Sequence, residues 1–379
     1  MAKEVVRWAA VARALLRIAA RAGAVARACR ADPALFALLV EEKRGPAQHP
    51  NLRFARDFKS LADVLIQQMV VAALAAEVGP GIARRVYGEE SATFTSATTG
   101  ETVTVAIGAD AAATAAALAP ILPDHPAACT ALAIAAHAEV ALEPADVAEV
   151  DALGDAEVAV DTLGVWVDPL DGTNEFVAGH AGTPLTEAGL WSGGLPAVLV
   201  LLGIFDVLTG APLLGVVYQP YCPGPPDAAP HGRMVWGGVL APGRTVAPRV
   251  RVATPAPATL MPVALSSSED AAVRARLAEL VPGGAAAQVA VAGGGYKLLA
   301  VADGLVQTSL LSKPTIFQWD TCAVHALLRA LGGDIVDCDG RPLRYDAAGD
   351  PCHRRGLVAY RDPAALPPIL EALRAGLSA

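Results

Sequence analysis

The stretch that decides the fold is residues 158–173, which read VAVDTLGVWVDPLDGT. The part from Val158 to Val167 is largely apolar and predicts a buried strand, which runs directly into two aspartates. Pro169 fixes its own φ, and Gly172 permits a sharp or left-handed turn. The sequence therefore predicts a turn that points the carboxylates at the end of this strand toward one place.

The turn itself, residues 168–173, has the chemistry of a divalent-metal site. A divalent cation prefers hard oxygen ligands, and Asp168, Asp171 and the carbonyl of Leu170 could supply three of them. Thr173 would stand at a helix start, where its hydroxyl and the free backbone N–H groups suit a phosphate or an attacking water. The alternative interpretation of the same residues is an Asp-rich β-turn with a capping threonine.

Further acids could complete such a site, although each has a structural alternative. Glu89 and Glu90 are adjacent, and two neighbouring carboxylates are usually part of a solvated surface. Asp57 precedes a predicted helix and Asp320 lies at the start of another, and aspartate is a good helix cap. A carboxylate can cap a helix and bind a metal ion at the same time.

The glycine run from Gly293 to Lys297 is a candidate phosphate loop. Glycine lets the backbone approach a ligand closely, and Lys297 is placed to meet a phosphate. Glycine-rich loops are common in proteins, so this prediction depends on the carboxylates nearby.

Helices and strands alternate along the chain, as in a layered α/β protein. No repeat or linker divides the sequence, so we expect one domain over residues 1–379, with a metal-site half at about 1–205 and a second half at about 206–379. The predicted elements are helices up to about residue 42, at 61–78 and in two pieces within 111–141, a hairpin at 92–107, and strands at 197–204, 213–218 and near Val235, Val250 and Ala264.

Charge and cysteine content narrow the function classes. The chain has 29 Lys and Arg against 38 Asp and Glu, a net charge of −9, so no basic field would attract nucleic acid or an anionic membrane. The six cysteines show no CxxC spacing, and we expect reduced thiols in a cytoplasmic protein. No run reaches the roughly 18 apolar residues that span a bilayer. The Arg- and Ala-rich N-terminus is better explained as an amphipathic first helix than as a transit peptide.

Taken together and in this order, these segments resemble the lithium-sensitive, magnesium-dependent phosphatase superfamily, which includes inositol monophosphatases, bisphosphate nucleotidases and inositol polyphosphate 1-phosphatases. Residues 168–173 and 319–323 are specific for the superfamily, whereas the N-terminal motifs favour the polyphosphate 1-phosphatase branch. The segments that carry the resemblance are ARACR (26–30), LVEEK (39–43), DFKSLADV (57–64), YGEES (87–91), VWVDPLD (165–171), residues 293–298, residues 319–336 and GLVAYR (356–361).

The resemblance implies an α/β fold, a layered αβαβα sandwich of the inositol monophosphatase and fructose-1,6-bisphosphatase type. It also implies Mg²⁺-dependent hydrolysis of the 1-phosphate of inositol 1,4-bisphosphate and inositol 1,3,4-trisphosphate, with two or three Mg²⁺ ions and inhibition by Li⁺. We expect a monomer whose partner is a small phosphorylated inositol, with no nucleic acid or membrane partner.

Carried over residue by residue, the resemblance assigns three groups of site residues. The catalytic group would be Asp57, Thr173 and Glu89, with the proton of the attacking water shared by Asp57 and Thr173. The metal ligands would be Asp57, Glu89, Glu90, Asp168, the Leu170 carbonyl, Asp171 and Asp320. The substrate contacts would be Asp171, Gly172, Thr173, Ser268, Gly293 and Lys297.

Two departures from the branch leave the substrate open. Branch members typically carry Ser where this chain has Gly172, and a Lys where it has Asp270, two residues after Ser268. Each departure removes one expected contact to a phosphate. A nucleotidase that acts on adenosine 3′,5′-bisphosphate is therefore the alternative enzyme, and a non-catalytic inositol-phosphate binding protein is the alternative from another class.

Overall fold

The computed structural model describes residues 4–43, 58–224, 231–240, 243–251 and 262–376. Within these ranges the helices are α1 Trp8–Arg30, α2 Pro33–Phe36, α3 Leu61–Glu77, α4 Pro80–Ala83, α5 Ala111–Leu118, α6 Pro126–Ala136, α7 Pro144–Asp151, α8 Thr173–Ala178, α9 Ala271–Leu280, α10 Gly294–Ala302, α11 Gln318–Ala330 and α12 Leu366–Gly376. The strands are β1 Val5–Arg7, β2 Val40–Glu42, β3 Phe58–Ser60, β4 Val86–Gly88, β5 Thr93–Thr95, β6 Thr102–Thr104, β7 Glu157–Ala159, β8 Leu163–Asp171, β9 Leu199–Asp206, β10 Pro212–Cys222, β11 His231–Leu240, β12 Arg244–Val246, β13 Val263–Leu265, β14 Gln288–Ala290, β15 Thr308–Leu311, β16 Asp334–Val336 and β17 Leu357–Tyr360.

Two large sheets form the framework. The first has the order β12-β11-β10-β9-β8-β4, in which β4 runs parallel to β8 and the other pairs are antiparallel. The second has the order β14-β13-β15-β17-β16, in which β14, β13 and β15 are parallel. The remaining strands pair as β1-β7, β2-β3 and β5-β6.

The helices cover both faces of each sheet and so produce five layers. Along β9, Val200, Leu202 and Ile204 share one core with α1 and α3, whereas Leu199 and Leu201 belong to the core around α10 and α11. Helices α10 and α11 lie between the two sheets, and the second sheet packs against them with one face. Helices α9 and α12 cover the outer face of the second sheet. A strand covered on both faces is mostly apolar along its whole length, which is why β9 and β10 are nearly continuous apolar runs.

The predicted helix at 61–78, the hairpin, the two Ala-rich helices and the two long antiparallel strands are all confirmed, with small shifts at their ends. The prediction of helix up to residue 42 is wrong. Helix α1 ends at Arg30, and residues 40–42 form β2, which pairs antiparallel with β3. Pro33 begins a separate short helix because proline has no N–H with which to continue the helix before it.

Three other element predictions are also corrected. The strand predicted at 158–167 is two strands, β7 and β8, and β8 runs on through Asp171. Residues 5–7, assigned to the first helix, form β1 and pair with β7, so the helix begins at Trp8. No strand lies at Val250 itself, and the nearest strand among the described residues is β12. In the part of the chain that the structure describes, no helix has both the length and the hydropathy to cross a bilayer.

Candidate active site

The carboxyl ends of β4 and β8 bring two acidic segments together. The two strands are parallel with Gly88 opposite Val167, and the Glu89 N–H donates to the Val167 carbonyl at 3.3 Å. The residues that follow each strand therefore leave the sheet at the same edge, as they do in any parallel pair. This pairing places Glu89 and Glu90 beside Asp168.

Glu90 is held in place by a side chain of α3. The Gln67 amide bonds the backbone of Glu90 on both sides, accepting from its N–H at 2.9 Å and donating to its carbonyl. Because the carbonyl oxygen and the NH2 group of the Gln67 amide are both bonded to it, the backbone of Glu90 is held in one orientation. Gln67 is a supporting residue that the sequence motifs did not reveal.

Asp168, Asp171 and Asp320 form a compact cluster, with one carboxylate oxygen from each lying within 4.8 Å of the others. Each carboxylate is oriented by a backbone N–H: Leu170 donates to Asp168 at 3.1 Å, Tyr296 to Asp171 at 3.2 Å, and Phe317 to Asp320 at 2.6 Å. For Asp320 this bond is part of a capping arrangement at the third position of α11, so the capping and site interpretations both apply.

The cluster is electrostatically unfavourable without a cation. Burial raises the pKa of Asp168 well above its usual value, and the charges of Glu89, Asp171 and Asp320 raise it further. Burial and the Glu89 charge likewise raise the pKa of Asp171 to about 6, although Lys297 acts in the opposite direction. Buried carboxylates that repel one another and present oxygen ligands to a common point fit a hard divalent cation such as Mg²⁺.

Lys43 provides the one nearby positive charge among the described residues that reaches the two glutamates directly. Its ammonium group pairs with Glu89 and, at 2.8 Å, with Glu90. Burial lowers the pKa of Lys43, but the two carboxylates outweigh this effect and raise it above its usual value. Lys43 entered the sequence analysis only as part of a motif, and tertiary packing identifies it as a site residue.

Asp63 also reaches the acidic cluster. Its Oδ2 accepts from the Ser60 N–H at 2.7 Å and the Ser60 hydroxyl at 2.6 Å, which makes a capping box at the start of α3. Its Oδ1 is buried and has no hydrogen-bond partner among the described residues. Burial and the Glu89 charge raise the pKa of Asp63 to about 6. Asp57, the acid predicted from this segment, lies outside the described residues.

The turn after β8 has the predicted conformation. Gly172 has φ +82°, in the left-handed region that glycine adopts without strain, and α8 begins at the next residue. The Thr173 hydroxyl donates to the Leu170 carbonyl at 3.1 Å. The Thr173 hydroxyl therefore contacts the carbonyl that was predicted to bind metal.

The backbone of the glycine loop borders the cluster. A Cβ added at Gly293 would lie 3.5 Å from Asp171 Oδ2, and one at Gly294 would lie 3.5 Å from both Asp171 and Asp320. Lys297 is fully buried and donates to the carbonyls of Val291 at 3.1 Å and Gly293 at 2.6 Å. The ammonium group of Lys297 thus helps to hold the loop, and its contact with a phosphate stays a prediction.

Ser268 lies in the turn that follows β13, at the same edge of the second sheet as the glycine loop after β14. Its hydroxyl is 2.9 Å from that of Ser266. Asp270 caps α9 by accepting from the Ala272 N–H at 2.7 Å. The structure thus places Ser268 near the glycine loop and uses Asp270 as a helix cap.

The profile of the inositol monophosphatase family matches residues 63–374. The chain therefore belongs to this family of phosphatases. The match begins at Asp63 and so includes all the described acids of the site, whereas Lys43 lies before it.

The most similar relatives have narrower names. The chain is 36% identical over 342 residues to inositol polyphosphate 1-phosphatase of Homo sapiens. The match covers 86% of this chain and 83% of that protein. It is 35% identical over 345 residues to the protein of the same name from Bos taurus, with 85% and 82% covered. It is 32% identical over 199 residues to 3′(2′),5′-bisphosphate nucleotidase 1 of Rattus norvegicus, with 52% and 57% covered.

Solved structures agree on the fold. The extragenic suppressor protein suhB from Bartonella henselae aligns with TM-score 0.52 at 17% identity, covering 97% of this chain and 99% of that one. The Thermotoga maritima IMPase TM1415 aligns with TM-score 0.52 at 13% identity, covering 96% of each chain. The predicted family and the layered α/β fold are confirmed.

Proposed function

We propose that this protein is a Mg²⁺-dependent phosphoric monoester hydrolase that removes the 1-phosphate from inositol 1,4-bisphosphate and from inositol 1,3,4-trisphosphate. The observation that carries the proposal is the buried cluster of Asp168, Asp171 and Asp320, flanked by Glu89 and Glu90. The choice of substrate is supported by the length and identity of the match to inositol polyphosphate 1-phosphatases.

We assign the metal ligands to Glu89, Glu90, Asp168, the Leu170 carbonyl, Asp171 and Asp320. For the carboxylate that takes a proton from the attacking water, we propose Asp63 instead of Asp57. Asp63 is fully buried beside the cluster and has an oxygen without a protein partner among the described residues. Its raised pKa of about 6 suits a group that exchanges protons near neutral pH.

Two or three Mg²⁺ ions, when bound, would neutralise the phosphate and lower the pKa of the attacking water. Thr173 would share the proton of that water with Asp63, and Glu89 would orient it. The backbone N–H groups that follow Gly172 and Gly293 would hold the phosphate oxygens, as the glycine conformations there allow close approach. We also propose inhibition by Li⁺.

The alternative enzyme is a nucleotidase for adenosine 3′,5′-bisphosphate, favoured by Gly172 and Asp270. Phosphate release from this nucleotide and from inositol 1,4-bisphosphate, each with Mg²⁺ and with or without Li⁺, decides between the two. We expect preference for the inositol and inhibition by Li⁺. Preference for the nucleotide would change the proposed substrate to adenosine 3′,5′-bisphosphate. Turnover of neither substrate would favour a non-catalytic binding protein.

Three variants test the mechanism. Asp168→Asn should abolish turnover in a protein that stays folded, because it removes a ligand charge without changing volume. Asp63→Asn should do the same, whereas Asp57→Asn should retain turnover. Loss of activity in Asp57→Asn with normal activity in Asp63→Asn would return the role to Asp57, and an active, metal-independent Asp168→Asn would overturn the mechanism.

A cytoplasmic location and a monomeric state stay predictions. Size-exclusion chromatography with light scattering tests the second, and the expected mass is the 38.6 kDa of one chain.

A further inference from the structure

We propose that Lys313 and Ser268 form a second anion subsite that holds a phosphate of the substrate other than the one removed, so that Lys313 determines preference for a polyphosphorylated ring. This inference rests on the inositol bisphosphate hydrolysis proposed above. Nothing in the sequence motifs drew attention to Lys313, which lies in the connection between β15 and α11.

The sheet brings this residue to the active-site edge. Strands β14, β13 and β15 are parallel neighbours, with Leu265 opposite both Ala290 and Leu310. Their carboxyl ends therefore lie side by side, and they lead into the glycine loop, the Ser268 turn and Lys313 respectively. Adjacent strands are about 5 Å apart, so the strand that leads to Lys313 is about 10 Å from the strand that leads to the glycine loop.

A direct bond connects the two proposed residues. The Lys313 ammonium group donates to the Ser268 carbonyl, and both side chains are exposed. The glycine loop on the other side of β13 borders Asp171. A ring that presents one phosphate to the metal cluster would thus extend toward Ser268 and Lys313 along the sheet edge.

Lys313 differs from the other lysines of the described residues in its exposure and in its ion pairing. Lys43 and Lys59 are buried and paired with glutamates, and Lys297 is buried beneath the glycine loop. No ion pair joins Lys313 to a carboxylate of the described residues, and it is their one exposed lysine. Its charge is therefore available to an anionic ligand.

The acids around Lys313 are already used by the protein. Glu269 is buried and accepts from the Ser312 N–H at 3.2 Å and from the Ser312 hydroxyl. Asp270 caps α9. Because these carboxylates are bonded to N–H and O–H groups of the protein, they do not neutralise Lys313 by contact. Lys313, which follows β15, would thus supply the positive charge that is missing because this chain has Asp270 where branch members typically have a lysine.

The test is Lys313→Gln, with Lys313→Arg as the conservative variant. In Lys313→Gln we expect the KM for inositol 1,4-bisphosphate to rise about tenfold, because one charge-assisted hydrogen bond is lost. The kcat should stay within about twofold of the wild-type value. Lys313→Arg should restore most of the affinity. Arg7→Gln is the matched control, because it removes one exposed positive charge on the separate β1-β7 sheet and should change nothing.

Two ligands separate the subsites by direct binding, measured calorimetrically on the Mg²⁺-loaded protein. Inositol 4-phosphate keeps the phosphate that is not removed, so its affinity should fall about tenfold in Lys313→Gln. Inorganic phosphate occupies the metal cluster, so its affinity should stay unchanged. Equal affinities of the wild type and Lys313→Gln for inositol 4-phosphate would overturn the proposal.

The two proposals fail separately. If the wild type hydrolyses no inositol phosphate, the proposed function fails and the binding of inositol 4-phosphate still decides the subsite. If the wild type is active and Lys313→Gln has an unchanged KM, only the subsite fails.

Discussion

The charge repulsion in the carboxylate cluster predicts that one substitution has opposite effects with and without metal. Asp171→Asn keeps the shape of the side chain and its acceptor for the Tyr296 N–H, but removes a negative charge. Without metal that charge is a cost, because burial and the Glu89 charge raise the pKa of Asp171. In the metal-free protein the variant should therefore be more stable than the wild type.

The size of this effect follows from the pKa. The rise from the usual 3.8 to about 6 corresponds to about 3 kcal/mol of unfolding free energy at pH values above both. Since the folded-state pKa is higher than the unfolded one, the wild type loses stability as the pH rises from about 4 to about 6. The advantage of Asp171→Asn should be about 3 kcal/mol at pH 8 and about half of this at pH 5.

Urea unfolding in EDTA and in excess Mg²⁺ measures both signs. In Mg²⁺ the order should reverse, because the wild type gains the full free energy of metal binding and the variant has lost a ligand. Asp146→Asn is the control, since Asp146 is equally buried but pairs with Arg249 and accepts from Trp236 at 3.0 Å, so it should gain nothing in EDTA. A variant that is less stable than the wild type in EDTA at pH 8 would refute the reasoning.

Three further variants test the supports of the site. Gly172→Ala should cost about 1–2 kcal/mol in urea unfolding because of the φ of +82°, and Gly100→Ala, at φ +73° with nothing within 4 Å of the added Cβ, isolates the backbone part of this cost. Gln67→Ala should weaken Mg²⁺ activation about tenfold or more, because the backbone of Glu90 loses its support. Ser60→Ala should cost about 1 kcal/mol of stability and lower kcat, because the same hydroxyl caps α3 and orients its first-turn aspartate.

Each of these predictions has a clear contrary result. Equal stability of Gly172→Ala and the wild type would mean that the turn can change its conformation. An unchanged Mg²⁺ dependence in Gln67→Ala would show that Glu90 needs no support from α3. If Ser60→Ala loses stability but retains kcat, the capping box has a structural role only.

Much of the site could be predicted from the sequence wherever its chemistry is local. Asp168, Asp171, Gly172 and Thr173 are neighbours in one short segment at the end of β8 and the start of α8, and the conformational limits of proline and glycine already restrict how that segment can fold. Asp320 was predicted to lie at a helix start, and the structure puts it at the third position of α11. The alternation of apolar segments likewise indicated a layered α/β protein.

Tertiary structure decided which distant residues meet. The sequence analysis assigned Asp57 and gave Asp63 no role, because only the packing of α3 against β8 shows that Asp63 reaches the cluster. It predicted Lys297 as a phosphate contact but did not show that its ammonium group also bonds the Gly293 carbonyl, and it gave no role to Lys43 or Lys313. The physical reason is that a turn depends on the dihedral preferences of adjacent residues, whereas contacts between distant residues depend on strand pairing and helix packing that no single segment specifies.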